Sequence, residues 1–193
     1  MKQKRLEELT MDNIRQLVKS CKQCGEGFGN SAVGFGKEDN PLIFFIGLNP
    51  KVKNHTFDDG RGITILKEKL KEWKFDDFFL DNVIKCEIPG LNKLGGKRID
   101  NCFVYLSYQI EILNPKAIVC FGHYSNKQML RKYGTRNLYE WWDSQDILFH
   151  EEPIPFYSVP HFSAPLYGGN SISLEEYYKK LEVVINEIKR KYK

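Results

Sequence analysis

A chain of 193 residues that is 41% hydrophobic and 28% charged can bury a full core, which excludes a disordered polypeptide. Its formal net charge of +4 is compatible with a polyanionic partner without requiring one. No apolar run reaches membrane-spanning length, and residues 1–8 lack the apolar centre of a signal peptide. We therefore expect a cytoplasmic monomer with a single domain over residues 1–193 and no membrane partner.

The first predicted elements are a helix, a loop and a buried strand. Apolar residues recur at helical spacing over 6–20, and Asp12 is the expected N-cap of the main part of this helix. Irregularly spaced glycines over 25–36 indicate a loop. The run 42–46 is apolar without polar alternation, which is typical of a strand buried on both faces of a parallel sheet. Ligands of such sheets bind beyond the carboxyl ends of the strands.

The rest of the chain alternates helices with strands. The predicted helices cover residues 62–73, 98–113 and 124–132 and a final stretch capped by Ser173, and the predicted strands cover 81–86, 117–122 and 156–160. Residues 134–152 are aromatic but poorly periodic, so no regular element is predicted there. Because strands and helices alternate, the sequence predicts an α/β protein with a mainly parallel sheet of four strands.

Polar side chains collect where the predicted strands end. Gly47 would let backbone approach a ligand closely, and Asn49 follows the first strand. Asn82 lies on the second strand, and His161 and Ser163 follow the fourth. Because the carboxyl ends of parallel strands meet at one edge, these residues can share a pocket. The alternative is that each one merely completes a strand-ending turn.

The five cysteines divide into four at element ends and one in an apolar run. Cys120 belongs to the apolar run and is expected in the core. Cys21 and Cys24 form a C-x2-C pair, whereas fifteen residues separate Cys86 from Cys102. Four thiolates can hold zinc or an iron–sulfur cluster, and zinc usually takes two tight pairs. Four unrelated free cysteines remain the alternative.

Several of these segments occur together in the order typical of one enzyme family. They are residues 33–36, 42–50, 82–86, 102–106 and 109–119, followed by Gly122. Over about residues 20–165, including the order and spacing of the four cysteines, the sequence resembles the iron–sulfur uracil-DNA glycosylases of family 4. The resemblance implies a three-layer α/β/α sandwich with a four-stranded parallel sheet, a [4Fe-4S] cluster and a nucleoid-associated enzyme. Its expected activity is the excision of uracil and other deaminated bases from DNA, which initiates base excision repair.

The resemblance also implies a role for each residue at the strand ends. Asn82 would read the base, since one amide can donate to O4 and accept from N3–H of uracil. His161 would donate to O2 as negative charge develops there, and Asn49 would position water. The other implied residues are Gly47, Phe57 and Ser163 at the base, Lys51, Leu166 and Tyr167 at the DNA, and Cys21, Cys24, Cys86 and Cys102 at the cluster.

The motifs depart from those of the family at three places. The first motif of the family is usually Gly-Glu-Ala-Pro-Gly, whereas residues 47–50 read Gly-Leu-Asn-Pro. This is similar to the Gly-x-Asn-Pro-Gly of the mismatch-specific and single-strand-selective branches of the superfamily, except that Lys51 replaces the final glycine. His-Phe-Ser replaces His-Pro-Ser at 161–163, and no aromatic residue occurs at 60–63, which makes Phe57 the candidate for stacking on the base. An enzyme directed at hypoxanthine or xanthine and a non-catalytic iron–sulfur nucleic-acid-binding protein therefore stay open. A uracil cross-linking enzyme is disfavoured because residues 87–101 contain no histidine.

Overall fold

The computed structural model describes residues 9–24, 30–53, 55–57, 60–88, 96–135, 140–167 and 172–192. The strands are β1 (Phe35–Gly36), β2 (Ile43–Gly47), β3 (Val52–Lys53), β4 (Thr56–Phe57), β5 (Phe78–Asn82), β6 (Ala117–Phe121), β7 (Asp143–Phe149) and β8 (Glu152–Val159). The helices are α1 (Met11–Lys19), α2 (Arg61–Glu72), α3 (Gly96–Leu113), α4 (His123–Tyr133) and α5 (Leu174–Tyr192), with a 3₁₀ turn at Ala164–Tyr167. The chain is therefore an α/β protein, as predicted.

The central sheet has six strands in the order β1-β5-β2-β6-β8-β7. Its four inner strands pair in parallel, and β1 and β7 add to its two edges in antiparallel orientation. The expectation of a four-stranded sheet is therefore wrong. Strand β7 was missed because it is an edge strand in which only Ile147 and Phe149 are buried, so its residues show little apolar periodicity. Strands β3 and β4 form a separate two-stranded hairpin.

Strand β5 begins and ends earlier than the predicted range 81–86. Its aromatic start, Phe78, pairs with Ile43 of β2, and its last residue pairs with Gly47. Cys86 therefore lies beyond the strand, where it forms an isolated antiparallel bridge with Ser31. This bridge brings the segment after β5 next to the loop that follows α1.

The helix ends show one correction and one agreement. The N-cap of α1 is Thr10 rather than Asp12, because Thr10 and Asn13 exchange side-chain and backbone hydrogen bonds in a capping box. Asp12 lies in the first turn, where its negative charge interacts favourably with the helix dipole. At α5, the Ser173 hydroxyl accepts a hydrogen bond from the Glu176 N–H at 3.1 Å, as expected of the predicted cap.

Helices cover both faces of the sheet. Phe44 and Ile46 of β2 pack with α1, α3 and α4, whereas Ile43 and Phe45 pack with α2 and α5. This alternation explains why the strand reads as one unbroken apolar run. Because the four inner strands run parallel, the carboxyl ends of β2, β5 and β8 lie at one edge of the sheet. Among the described residues, no helix is both long enough and apolar enough to cross a membrane.

Candidate functional site

A cavity of about 220 Å³ opens at the edge where the parallel strands end. Its lining includes seven of the residues expected from the sequence: Asn49, Lys51, Phe57, Asn82, His161, Ser163 and Tyr167. Two expected residues, Gly47 and Leu166, are not part of the lining. The fold therefore brings together polar groups from three strand ends that are far apart in the sequence.

Gly47 acts on the cavity through its neighbour Asn82. The two residues are partners in the β2–β5 register, and Asn82 is only 7% exposed. A Cβ atom on Gly47 would come closer than 3.0 Å to the Oδ1 atom of Asn82, a separation that real Cβ atoms do not show. Glycine at this position therefore leaves the room in which the Asn82 amide lies.

Ser163 fixes the tautomer of His161. The Ser163 N–H donates to the Nδ1 atom of His161 at 3.2 Å, and the Ser163 hydroxyl lies 2.6 Å from the same nitrogen. A backbone N–H can only donate, so Nδ1 is the acceptor and the neutral ring carries its proton on Nε2. Burial lowers the pKa of His161 to about 4, so the ring is neutral at pH 7.

Close packing surrounds residues 161–163, which we call the histidine loop. Gly122, which precedes α4, has a φ of +86°, and a Cβ atom there would lie 3.2 Å from the Cβ of His161. Phe162 packs edge to face on Phe121 with ring centroids 5.1 Å apart. A Cβ atom on Gly62 at the start of α2 would meet the Phe162 ring at 3.0 Å. The histidine loop is therefore held between α4 and α2.

The rim of the cavity is aromatic and cationic. Phe57 on the β3–β4 hairpin packs edge to face against Phe35, with ring centroids 5.8 Å apart. Lys51 is exposed, Arg61 also lines the cavity, and Tyr167 is 78% exposed. None of the described lining residues is acidic. Lys51 and Arg61 give this rim two cationic side chains, the type that contacts phosphates.

Cys86 and Cys102 both have a raised pKa, and the other cysteines near them contribute to it. Burial, together with the smaller effects of the nearby thiols of Cys102, Cys21 and Cys24, raises the pKa of Cys86 to about 12. Cys120 lies apart in β6, where burial alone raises the pKa of its thiol. No disulfide joins the five residues. Among the described residues, no three His, Cys, Asp or Glu side chains are already arranged around a metal position.

Three buried polar residues beneath the cavity are not among the site residues predicted from the sequence. Asp81 and Lys85 flank Asn82 along the chain, and Gln109 approaches from α3. All three are at most 1% exposed. The available signal was a lysine and an aspartate four residues apart within a largely apolar segment, which is an unusual place for charge.

Comparison with known proteins places the chain in a family. The sequence profile of the uracil DNA glycosylase superfamily matches residues 33–182, which is more than half of the chain. The chain belongs to the uracil DNA glycosylase superfamily. The matched range contains Asn49, Asn82 and His161, together with Cys86 and Cys102.

Within this superfamily, the chain is similar to several curated proteins named type-4 uracil-DNA glycosylase. The chain is 28% identical over 196 residues to a type-4 uracil-DNA glycosylase of Sulfurisphaera tokodaii, an alignment covering 89% of this chain and 83% of that protein. It is 32% identical over 123 residues to the type-4 uracil-DNA glycosylase of Thermotoga maritima, covering 60% and 63%. A third such enzyme, from Archaeoglobus fulgidus, is 27% identical over 123 residues, covering 60% and 61%.

Proposed function

We propose that this protein is a monofunctional DNA glycosylase that hydrolyses the N-glycosidic bond of uracil in DNA and thereby initiates base excision repair. One observation carries the proposal beyond family membership. The amide of Asn82 and the neutral ring of His161 line the same cavity, where one can read a base and the other can stabilise its departure. The names of the type-4 relatives support uracil as the substrate.

The base must leave the DNA stack before it can enter the cavity. Flipping costs a few kcal/mol, which stacking and edge hydrogen bonds offset. In the cavity, the Asn82 amide would donate to O4 and accept from N3–H of uracil, whereas cytosine presents the reverse pattern. Phe57, half-buried on the hairpin, is the residue proposed to stack on the base.

His161 would stabilise the departing base without giving up its proton. When the bond between the sugar carbon and N1 breaks, the electron pair stays on the base and negative charge develops at O2. The Nε2–H of a neutral imidazole donates to that oxygen, and one such preorganised donor supplies about 3–4 kcal/mol. The low pKa of His161 keeps the ring in this neutral form.

Water completes the reaction at the sugar carbon. Asn49 is proposed to position this water, which bonds to the carbon and releases a proton to solvent. The first motif carries Leu48 and Asn49 where its relatives in the family usually have an acid, so no carboxylate at that point activates the water. Catalysis would therefore depend mainly on stabilising the leaving base.

Residues at the rim would bind the DNA. Lys51 is exposed beside the cavity and can neutralise a phosphate, and Arg61 offers a second cation at the start of α2. Tyr167 and Leu166 lie on the 3₁₀ turn that follows the histidine loop. One of these two side chains is proposed to fill the space that the flipped nucleotide vacates.

We also propose that Cys21, Cys24, Cys86 and Cys102 hold a [4Fe-4S] cluster. The fit rests on their chemistry: the thiols of Cys102, Cys21 and Cys24 lie near enough to Cys86 to raise its pKa, and a cationic group that joined the four would favour their thiolate forms. Iron accepts four thiolate ligands. Bound there, the cluster would cross-link the loop after α1 to the segment after β5 and to α3, and glycosidic hydrolysis needs no redox step from it.

A cleavage panel tests the proposed function. Oligonucleotides carrying uracil, hypoxanthine, xanthine or a mismatched thymine are incubated with the protein, single-stranded and as duplexes, and abasic sites are revealed with alkali. We expect cleavage at uracil. Cleavage only at hypoxanthine or xanthine would favour a purine-directed glycosylase, and binding without cleavage at any base would favour a non-catalytic nucleic-acid-binding protein.

A further inference from the structure

The residues beneath Asn82 form a closed network of hydrogen bonds. The Lys85 ammonium donates to the Asp81 carboxylate at 2.8 Å, to the Gln109 carbonyl oxygen at 2.6 Å and to the backbone oxygen of Asn82 at 2.7 Å. The Gln109 amide donates to the same Asp81 oxygen at 2.5 Å. All three ammonium hydrogens are thereby used, and the two buried charges neutralise each other.

The same network holds both backbone groups of Asn82. The Asn82 N–H donates to the other oxygen of the Asp81 carboxylate at 2.7 Å, and its carbonyl accepts from Lys85. Strand β1, which pairs with the outer edge of β5, reaches only to Leu80. Side chains therefore supply at Asn82 the hydrogen bonds that a neighbouring strand supplies earlier in β5.

Stability alone does not explain such a network. Buried ion pairs gain little over well-packed apolar residues of similar volume, because desolvation offsets their attraction. Removing one partner is costly, whereas replacing all of them can be neutral or stabilising. A role in geometry accounts for the network better, since a binding group must be held within about 0.5 Å of its productive position.

We propose that Asp81, Lys85 and Gln109 are positioning residues, which together we call the clamp, and that they hold Asn82 in the orientation that distinguishes uracil from cytosine. The inference rests on the proposed function, because it assigns the clamp to the reading of a base. Gly47 leaves room for the Asn82 side chain on one side, and the clamp holds its backbone from the other. Together they fix the direction in which the amide donates and accepts.

The test replaces the clamp with apolar residues of similar size, in the triple variant Asp81→Leu, Lys85→Met, Gln109→Leu. The readout is the preference for a single-stranded oligonucleotide containing uncleavable 2′-fluoro-2′-deoxyuridine over the same oligonucleotide with 2′-fluoro-2′-deoxycytidine. Two hydrogen bonds to the base edge depend on the orientation of the amide, so we expect the uracil preference to fall about tenfold or more. Affinity for undamaged DNA and the folded circular dichroism spectrum should stay as in wild type.

A second pair of variants keeps the test decisive if the triple variant does not fold. Gln109→Leu opens the clamp, whereas the control Ser107→Ala removes hydrogen bonds to Phe103 and Tyr133 from the same helix without touching Asn82. We expect a lower uracil preference only in Gln109→Leu.

Two results would overturn the inference, and they differ in what else they refute. If wild type prefers uracil and the folded triple variant keeps that preference, the clamp does not position Asn82. The same conclusion follows if Gln109→Leu keeps the preference as fully as Ser107→Ala does. If wild type itself shows no preference for uracil, the proposed function fails as well.

Discussion

The substitution Gly47→Ala tests whether the side-chain amide of Asn82 reads the base. Gly47 has no positive φ, so alanine fits its backbone, but the new methyl group would lie closer than 3.0 Å to the Asn82 Oδ1 atom. The amide is the movable partner, so it should turn away from its place in the cavity. Base reading should therefore suffer while the fold is kept.

The expected magnitudes for activity and stability differ. Losing two hydrogen bonds to the base at about 0.5–1.5 kcal/mol each would lower the rate about 5- to 150-fold. Turning the amide out of its preferred rotamer costs about 0.5–1.5 kcal/mol, which lowers the melting temperature by only about 1–6 °C. A large loss of rate with a small loss of stability is the expected result.

The assay is single-turnover cleavage of a uracil oligonucleotide at saturating enzyme, where binding defects drop out. Gly96→Ala is the control, because Gly96 lies outside the cavity and a Cβ atom there would meet nothing within 4 Å. In an Asn82→Ala background, Gly47→Ala should cost almost nothing further. An equal loss of rate in both backgrounds would refute the reasoning, as would a wild-type rate for Gly47→Ala alone.

Further predictions concern catalysis, specificity, pH and metal. His161→Ala should lower the single-turnover rate about 10²–10³-fold and more than Asn49→Ala does, with DNA affinity nearly unchanged; the reverse order would mean that water positioning dominates. Asn82→Asp should weaken uracil excision, because a carboxylate cannot donate to O4; an unchanged rate would remove this residue from the site. Stability in urea should rise with pH between about 4 and 6.5, because histidine binds a proton there in the unfolded chain while His161 stays neutral; His161→Gln should lack this contribution. Anaerobically purified protein should hold about four iron and four sulfide, which Cys102→Ser loses and Cys120→Ser keeps; stoichiometric zinc without iron would contradict the cluster.

The sequence predicts the inner strands of the sheet better than its edges. The apolar runs of β2 and β6 are buried on both faces, so composition alone indicates them. Edge strand β7 buries only Ile147 and Phe149, and β1, β3 and β4 are two residues long, so hydrophobic periodicity has nothing to detect. At β5 the sequence predicts a strand over 81–86, whereas the observed strand starts at the aromatic residues Phe78 and Phe79 and ends at Asn82.

The candidate site shows the same division between local and long-range information. Motifs at strand ends were enough to select Asn49, Asn82 and His161, which line one cavity. The protonation state of His161 could not be predicted, because it depends on burial and on the Ser163 N–H. The clamp could not be predicted either, because Gln109 reaches Lys85 from a helix 24 residues away along the chain.

The release of free uracil tests the central claim most directly. Wild type and His161→Ala, purified in the same way, are each mixed in excess with a uracil oligonucleotide, and the free base is quantified over time by mass spectrometry. The account predicts that wild type releases uracil and leaves an abasic strand, and that His161→Ala does so about 10²–10³-fold more slowly. No release by iron-loaded wild type from single-stranded or duplex DNA, or equal rates for the two proteins, would contradict it.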